Sequence, residues 1–185
     1  MSQFAKSDSS VQPILVPVDF EPAARAALIS GARLAESTGT PLKILHVVHE
    51  PGDKPNYYLR HGVHDAVLDI AELAERRLEE FLQDVYRQNP DIDALKEPDT
   101  LLVKGLPSTR IPEIAERVQA GLIVMGHSKK ASSLFGKLFS SLCERVAHAS
   151  AIPLTAVFAN GESEVITASR PVHQRPMAGN VALGT

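Results

Sequence analysis

The chain has one cysteine, Cys143. A lone cysteine excludes an intramolecular disulfide and a cysteine-built metal cluster. Placed two residues past Ser141 on an expected helix, it reads as a small packed side chain. There is no surplus of positive charge: 19 Lys and Arg against 22 Asp and Glu leave a formal net charge of −3. A general nucleic-acid binder needs a basic face, so that class is set aside. An apolar leader is also missing, because residues 1–11 are polar. Every apolar run is strand-sized, too short to cross a bilayer. The expected location is therefore the cytoplasm, with neither nucleic acid nor membrane among the partners. No Walker A sequence and no dinucleotide GxGxxG occurs, and no internal repeat is visible.

Catalytic constellations are missing too. Ser128, Ser132, Ser133, Ser140 and Ser141 are plentiful, but chain order argues no Ser-His-acid triad. His61, His64 and Asp65 have a spacing that can face one way on a helix, yet no further ligand accompanies them. No catalytic residue and no metal ligand is assigned, and the expectation is a protein that is not an enzyme.

What the chain does have is the makings of one packed domain. Its 185 residues are 44% hydrophobic and 22% charged, close to the globular average. Residues 13–20 are apolar nearly throughout, as in a buried parallel strand, and Asp19 stands at the carboxyl end. Residues 22–37 form a helix opened by Pro22 and ended by Gly39, with Ala27, Leu28, Ala32 and Ala35 as a narrow stripe. Residues 42–48 form the second strand, in which His46 reads as a packed histidine. A loop follows, where Tyr57 and Tyr58 offer a lid or ordinary packing.

Residues 63–88 are one long amphipathic helix with Val67, Ile70, Ala74, Leu78, Phe81 and Val85 inward. Glu72, Glu75, Arg76, Arg77, Glu79 and Glu80 form its wet face. Strand 99–104 and a helix from Pro107, ended by Gly121, come next. Strands alternating with helices imply a parallel sheet covered on both sides, an α/β doubly wound fold. Residues 1–12 are expected to be disordered and 160–185 to be a flexible tail, or an arm laid on a partner.

The stretch 121–157 organises the rest. Strand Leu122-Ile123-Val124-Met125 is stopped by Gly126, and a polar loop begins at His127. A helix then opens on Ser141-x-x-Glu144, a capping box, and a strand at 153–159 closes the unit. Strand, loop and helix start in that order favour an anion, because first-turn N–H groups are unpaired and the helix dipole is positive there. Lys129 and Lys130 would add positive charge, or are simply an exposed basic loop.

This unit resembles the C-terminal half of universal stress proteins, and the opening Ile14-Leu15-Val16-Pro17-Val18-Asp19-Phe20 resembles their first strand. Leu45-His46-Val47 and the Gly-x-Pro at Gly105-Leu106-Pro107 are similar to the same family, so the resemblance spans 13–159. It implies a five-stranded sheet in the order 3-2-1-4-5 with a nucleotide site between strands 1 and 4. Nucleotide-binding members carry Gly-x-x-Gly and, after a spacer, Gly-Ser or Gly-Thr. Here Gly126 and Ser141 match, but Lys129 and Ser140 stand where glycines would. Each carries a Cβ where a backbone N–H should approach phosphate.

The resemblance places a possible adenine-nucleotide site at Val18, Asp19, Val47, Met125, Gly126, His127, Ser128, Lys129, Ser140, Ser141 and Leu142. Val47 would wall the base, and Ser140 and Ser141 would face the phosphate. Asp19 is equally well read as a helix cap or as a ligand contact. The expected function is a stress-response binding or signalling module with weak or no ATP binding. The alternative is an ATP sensor with slow hydrolysis at Asp19, Gly126 and Ser141. A flavoprotein subunit or a nucleotidyl transferase of the same architecture is disfavoured by missing motifs. Leu154, Thr155, Ala156 and Val157 would be an open apolar sheet edge, and a homodimer is expected to pair there.

Overall fold

The computed structural model describes residues 11–49, 70–127 and 142–166. Strand β1 is Ile14–Pro17, β2 Leu42–Val48, β3 Asp99–Lys104, β4 Leu122–Gly126, β5 Leu154–Val157 and β6 Ser163–Ile166. Helix α1 is Pro22–Thr38, α2 Ile70–Gln88, α3 Pro107–Arg117 and α4 Leu142–Ala149. The sheet order is β3-β2-β1-β4-β5-β6. The first five strands run parallel, as expected, and β6 returns antiparallel to β5.

Alternation along the strands assigns two cores. Ile14, Val16, Val18 and Val124 meet α1 and α2 on one face of the sheet. Leu15, Leu45, Val47, Ile123, Met125, Leu154 and Ala156 meet α3 and α4 on the other. Leu15 and Leu28 are wholly buried, one on each face. Truncating either to alanine would cost about 2–5 kcal/mol.

The small-residue stripe of α1 does what its composition predicts. Ala24, Ala27, Leu28, Ala32 and Ala35 are all buried. Gly31 lies so close to the sheet that a Cβ there would stand 2.6 Å from Val16 Cγ2. Gly39 ends α1 at φ 63, with Thr40 N–H donating to Ala35 O. The stop of α3 differs from expectation. Gln119, not Gly121, takes the left-handed position at φ 53, and Ala120 N–H donates to Ala115 O. Gly121 serves the sheet instead, donating its N–H to Pro13 O.

The carboxyl-terminal boundary is corrected. Residues 163–166 are a β-strand continuous with the domain, so the domain does not end at 159 and the sheet has six strands. Leu154, Thr155, Ala156 and Val157 are consequently not an open edge: β4 pairs with them on one side and β6 on the other. The motive for a dimer through that strand disappears with the edge. Residues 1–10, the tyrosine pair, His61, His64, Asp65, the first turns expected of the long helix and the tail beyond 166 lie outside the described residues.

Replacing Gly31 by alanine tests the helix–sheet contact. Alanine gains roughly 1 kcal/mol of helix propensity, but a Cβ against a stiff, buried valine costs about 1–3 kcal/mol. A lower melting temperature is expected; a higher one would show that α1 can back away from the sheet.

Candidate functional site at the parted ends of two strands

Strand β1 is the centre of the sheet, where the strand order reverses. In open α/β sheets ligands bind at the carboxyl ends beside that reversal. Here a single residue helps to open the place. β1 pairs with β2 over its whole length, Ile14 to Pro17. With β4 it pairs only at Ile14 and Leu15.

Ile14 and Val18 donate their N–H groups to Pro41 O and Leu45 O, on the β2 side. Alternation then turns the nitrogens of Leu15 and Pro17 toward β4. Proline has no N–H, so the ladder toward β4 cannot continue there. Apolar patterning by itself gives Pro17 no special place in this strand. A proline in an otherwise apolar central strand was a usable signal.

Beyond Pro17 the chain turns out of the sheet. Asp19 is exposed, and its Oδ1 accepts the Glu21 N–H at 3.2 Å. The capping reading of Asp19 thus has a bond behind it, while the exposed carboxylate still stands at the edge. Phe20 adopts φ 66, an uncommon conformation for a bulky residue. Its ring is held on three sides: by His46 at 4.4 Å, by Phe81 edge-on at 5.6 Å, and by the Arg77 guanidinium at 5.0 Å. These contacts offset the backbone strain. Arg77, expected on the wet face of its helix, lies half-buried against this ring.

His46 is packed, as expected, and 2% exposed. Its Nδ1–H donates to Val18 O at 2.8 Å, which ties β2 to the last residue before the turn. Burial pushes the imidazole pKa below its ordinary value. The bond to Val18 opposes that shift, and the Arg77 charge adds to it.

The β4 side is built on close packing. A Cβ on Gly126 would stand 2.5 Å from Ala24 N and 2.6 Å from Ala23 C. Gly126 is therefore required by the first turn of α1, whatever else it does. Its carbonyl accepts the Cys143 S–H at 3.5 Å. Burial pushes the Cys143 thiol up to about 11, with the Asp19 and Glu144 carboxylates adding to that shift. His127 N–H donates to Val157 O, and its ring meets Phe158 edge-on at 5.2 Å.

Val47 and Met125 are buried in the core beneath, on the α3 and α4 face; Val18 is buried on the opposite face. Leu142, half-buried, starts α4 beside that same core. Ser128, Lys129, Ser140 and Ser141 lie outside the described residues. A cleft of about 400 Å³ opens beside this edge, lined by Glu21, Pro22, Ala23, His127, Phe158, Ala159, Asn160 and Glu162. Its volume is in the range of small-molecule sites. Neither Phe20 nor the 158–162 turn had been singled out from sequence. No cluster of metal-ligating side chains occurs among the described residues, and no described helix is long and apolar enough to cross a membrane.

The family profile described as "Universal stress protein family" matches residues 10–157. The chain belongs to the universal stress protein family. Among solved structures, a universal stress protein in complex with cAMP shares 20% identity over 82% of this chain and 99% of its own, with a TM-score of 0.54. The universal stress protein UspA from Lactobacillus plantarum shares 22% identity over 80% of this chain and 99% of its own, with a TM-score of 0.53. The universal stress protein from Archaeoglobus fulgidus in complex with dAMP shares 20% over 78% and 96%, with a TM-score of 0.51. At these identities the likeness shows the fold. Among curated proteins no relative matches.

Two expectations follow from the buried titratable groups of this universal stress protein. The unfolded chain protonates His46 near 6.5, and the folded chain does so lower. The neutral imidazole's contribution is therefore fully present above the unfolded value and is lost as pH falls through the folded one. Denaturant midpoints should drop with acidification in this window, and less so in His46→Asn. A ring resonance titrating at or above 6.5 would refute the assignment. Cys143, for its part, should resist thiol reagents at mildly alkaline pH until denaturant is added. Rapid labelling of the native protein would contradict its placement.

Proposed function

We propose that this universal stress protein is a binding module for adenine nucleotides, seated at the carboxyl edge between β1 and β4, and that it signals by occupancy without turnover. The observation that carries the reading is the β1–β4 ladder that stops at Leu15 and Ile123, at the reversal of strand order, with Asp19 and Gly126 on either side. Relatives solved with cAMP and dAMP support the ligand class.

Binding is weak for physical reasons. Gly126 is committed to the contact with α1, so its missing Cβ leaves no spare room on that face. Glu21 and Glu162 line the neighbouring cleft and repel a highly charged phosphate chain. Lys129 and Ser140 stand where the family pattern has glycine. A lysine charge attracts phosphate but cannot substitute for close approach of backbone N–H groups. Adenosine monophosphates are accordingly favoured over ATP. Burial holds the Cys143 thiol protonated, so this side chain is not poised as a nucleophile.

Calorimetric titration with ATP, AMP and cAMP tests this. Wild type should bind AMP or cAMP at least as well as ATP. Asp19→Ala should weaken binding about tenfold, near 1.4 kcal/mol. Glycine at both Lys129 and Ser140 should tighten ATP. Unchanged affinity in Asp19→Ala moves the site away from this edge, and tight wild-type ATP binding overturns the argument from the missing glycines.

A further inference from the structure

We infer that His46 is a positioning residue for Asp19 and makes ligand binding at the β1–β4 edge proton-dependent, tight with a neutral imidazole and weakened in acid. This regulation rests on the nucleotide reading of that edge and goes beyond it, in a residue that does not meet the ligand. His46 holds the chain on both sides of Asp19. Its Nδ1–H donates to Val18 O at 2.8 Å, and its ring lies 4.4 Å from the Phe20 ring at a tilt of 33°. Asp19 stands between these two residues, so one side chain of β2 fixes the turn that presents the carboxylate. The turn needs fixing, because Phe20 sits at φ 66. Such strain persists only where the surroundings over-determine it.

The charges around His46 can be taken element by element. On β1 and its turn, Val18 is neutral and Asp19 is the first charged residue. On β2 itself Lys43 alternates to the other face of the sheet, and His49 lies beyond the strand's end. On β3 the residue opposite His46 is Leu102, and charge enters only at Lys104. On α2 the Arg77 guanidinium lies 5.0 Å from the Phe20 ring centre, while Arg76 and Glu80 are exposed. Phe81 meets the same ring edge-on, and behind it Arg25 pairs with Asp84. Burial holds the imidazole below its ordinary pKa, and among these charges Arg77 is the one that adds to the shift.

The imidazolium keeps its Nδ1–H, so acid does not delete the bond to Val18. It puts a full charge where His46 is 2% exposed and shares the Phe20 ring with a guanidinium. That charge is relieved when the ring swings toward water, a movement that releases Val18 and Phe20 together. Asp19 then loses the geometry in which it meets a ligand. The sign follows. The folded imidazole titrates below 6.5. Binding is at full strength above that folded value and is lost as pH falls through it.

Calorimetric titration with cAMP, whose phosphodiester holds one charge throughout this range, tests the link alongside the ring resonances of His46. Wild-type affinity should fall about tenfold, the loss expected of Asp19→Ala, with the midpoint at which the ring titrates. His46→Asn keeps an N–H donor but loses the ring against Phe20. It should bind a few-fold more weakly than wild type at neutral pH, with no further step until carboxylates titrate. His46→Leu should weaken binding at every pH. In an Asp19→Ala background its effect should vanish, because the histidine acts through Asp19. Without ligand, the resonance of the Glu21 amide, which Asp19 accepts, should shift with the His46 midpoint in wild type and not in His46→Asn.

A pH-flat wild-type affinity overturns the inference and leaves the nucleotide reading standing. So does a step that persists in His46→Asn, additive losses in the double variant, or a Glu21 amide that ignores the His46 titration. A wild type that binds no adenine nucleotide at neutral pH removes the nucleotide reading and this regulation with it.

Discussion

Everything at the candidate site hangs on how closely α1 approaches the middle of the sheet. The helix meets β1 and β4 through alanines and Gly31, and its first turn touches Gly126 backbone to backbone. No larger side chain fits at either contact. Protein interiors transmit such a constraint because they are close-packed. The approach fixes where α1 begins, and hence how the chain must leave β1. The turn through Asp19 and Phe20 is the path that remains, with a left-handed Phe20 as its consequence. The Asp19 carboxylate, which accepts the Glu21 N–H, belongs to the same turn.

The turn is stiffened from the neighbouring strand and helix. His46 bonds Val18 O and lies against Phe20, and Arg77 covers the other part of the ring. Phe81 joins the cluster from α2. Such a cluster holds an edge in one shape before any ligand arrives, and preorganisation of this kind lowers the cost of binding. The titratable groups are placed for holding as well. His46 is kept neutral by burial and Cys143 protonated by burial. Neither is poised to move a proton at neutral pH.

The same sheet manages its two sides differently. β3 is a half-exposed flank carrying Asp99, which pairs with Lys43 across the strands. On the opposite flank the buried, apolar β5 is followed at once by a short strand that is mostly wet. Charged and short outer strands are how soluble sheets avoid joining one another. The chain places its most hydrophobic strands inside and its most polar ones outside.

How far the sequence reached follows from the range of the forces involved. Strand and helix alternation, the apolar stripe of α1, its stop at Gly39 and the burial of His46 are local patterns with periods of a few residues, so they were legible. The parallel five-strand core followed from that alternation and the family resemblance. The sequence also carried Pro17, but its meaning needed the direction of its missing N–H, which only pairing with β2 on one side and β4 on the other defines.

Three matters were decided by tertiary structure alone. Gly126 looked like a phosphate-loop glycine, and close contact with Ala23 and Ala24 shows that packing already demands it. Arg77 looked solvated by helical phase, and an aromatic ring from a distant turn drew it in. Residues 163–166 have the composition of a tail, with no periodicity to mark a strand. They are a strand because β5 leaves N–H and C=O groups that need partners, a requirement that no window of sequence contains.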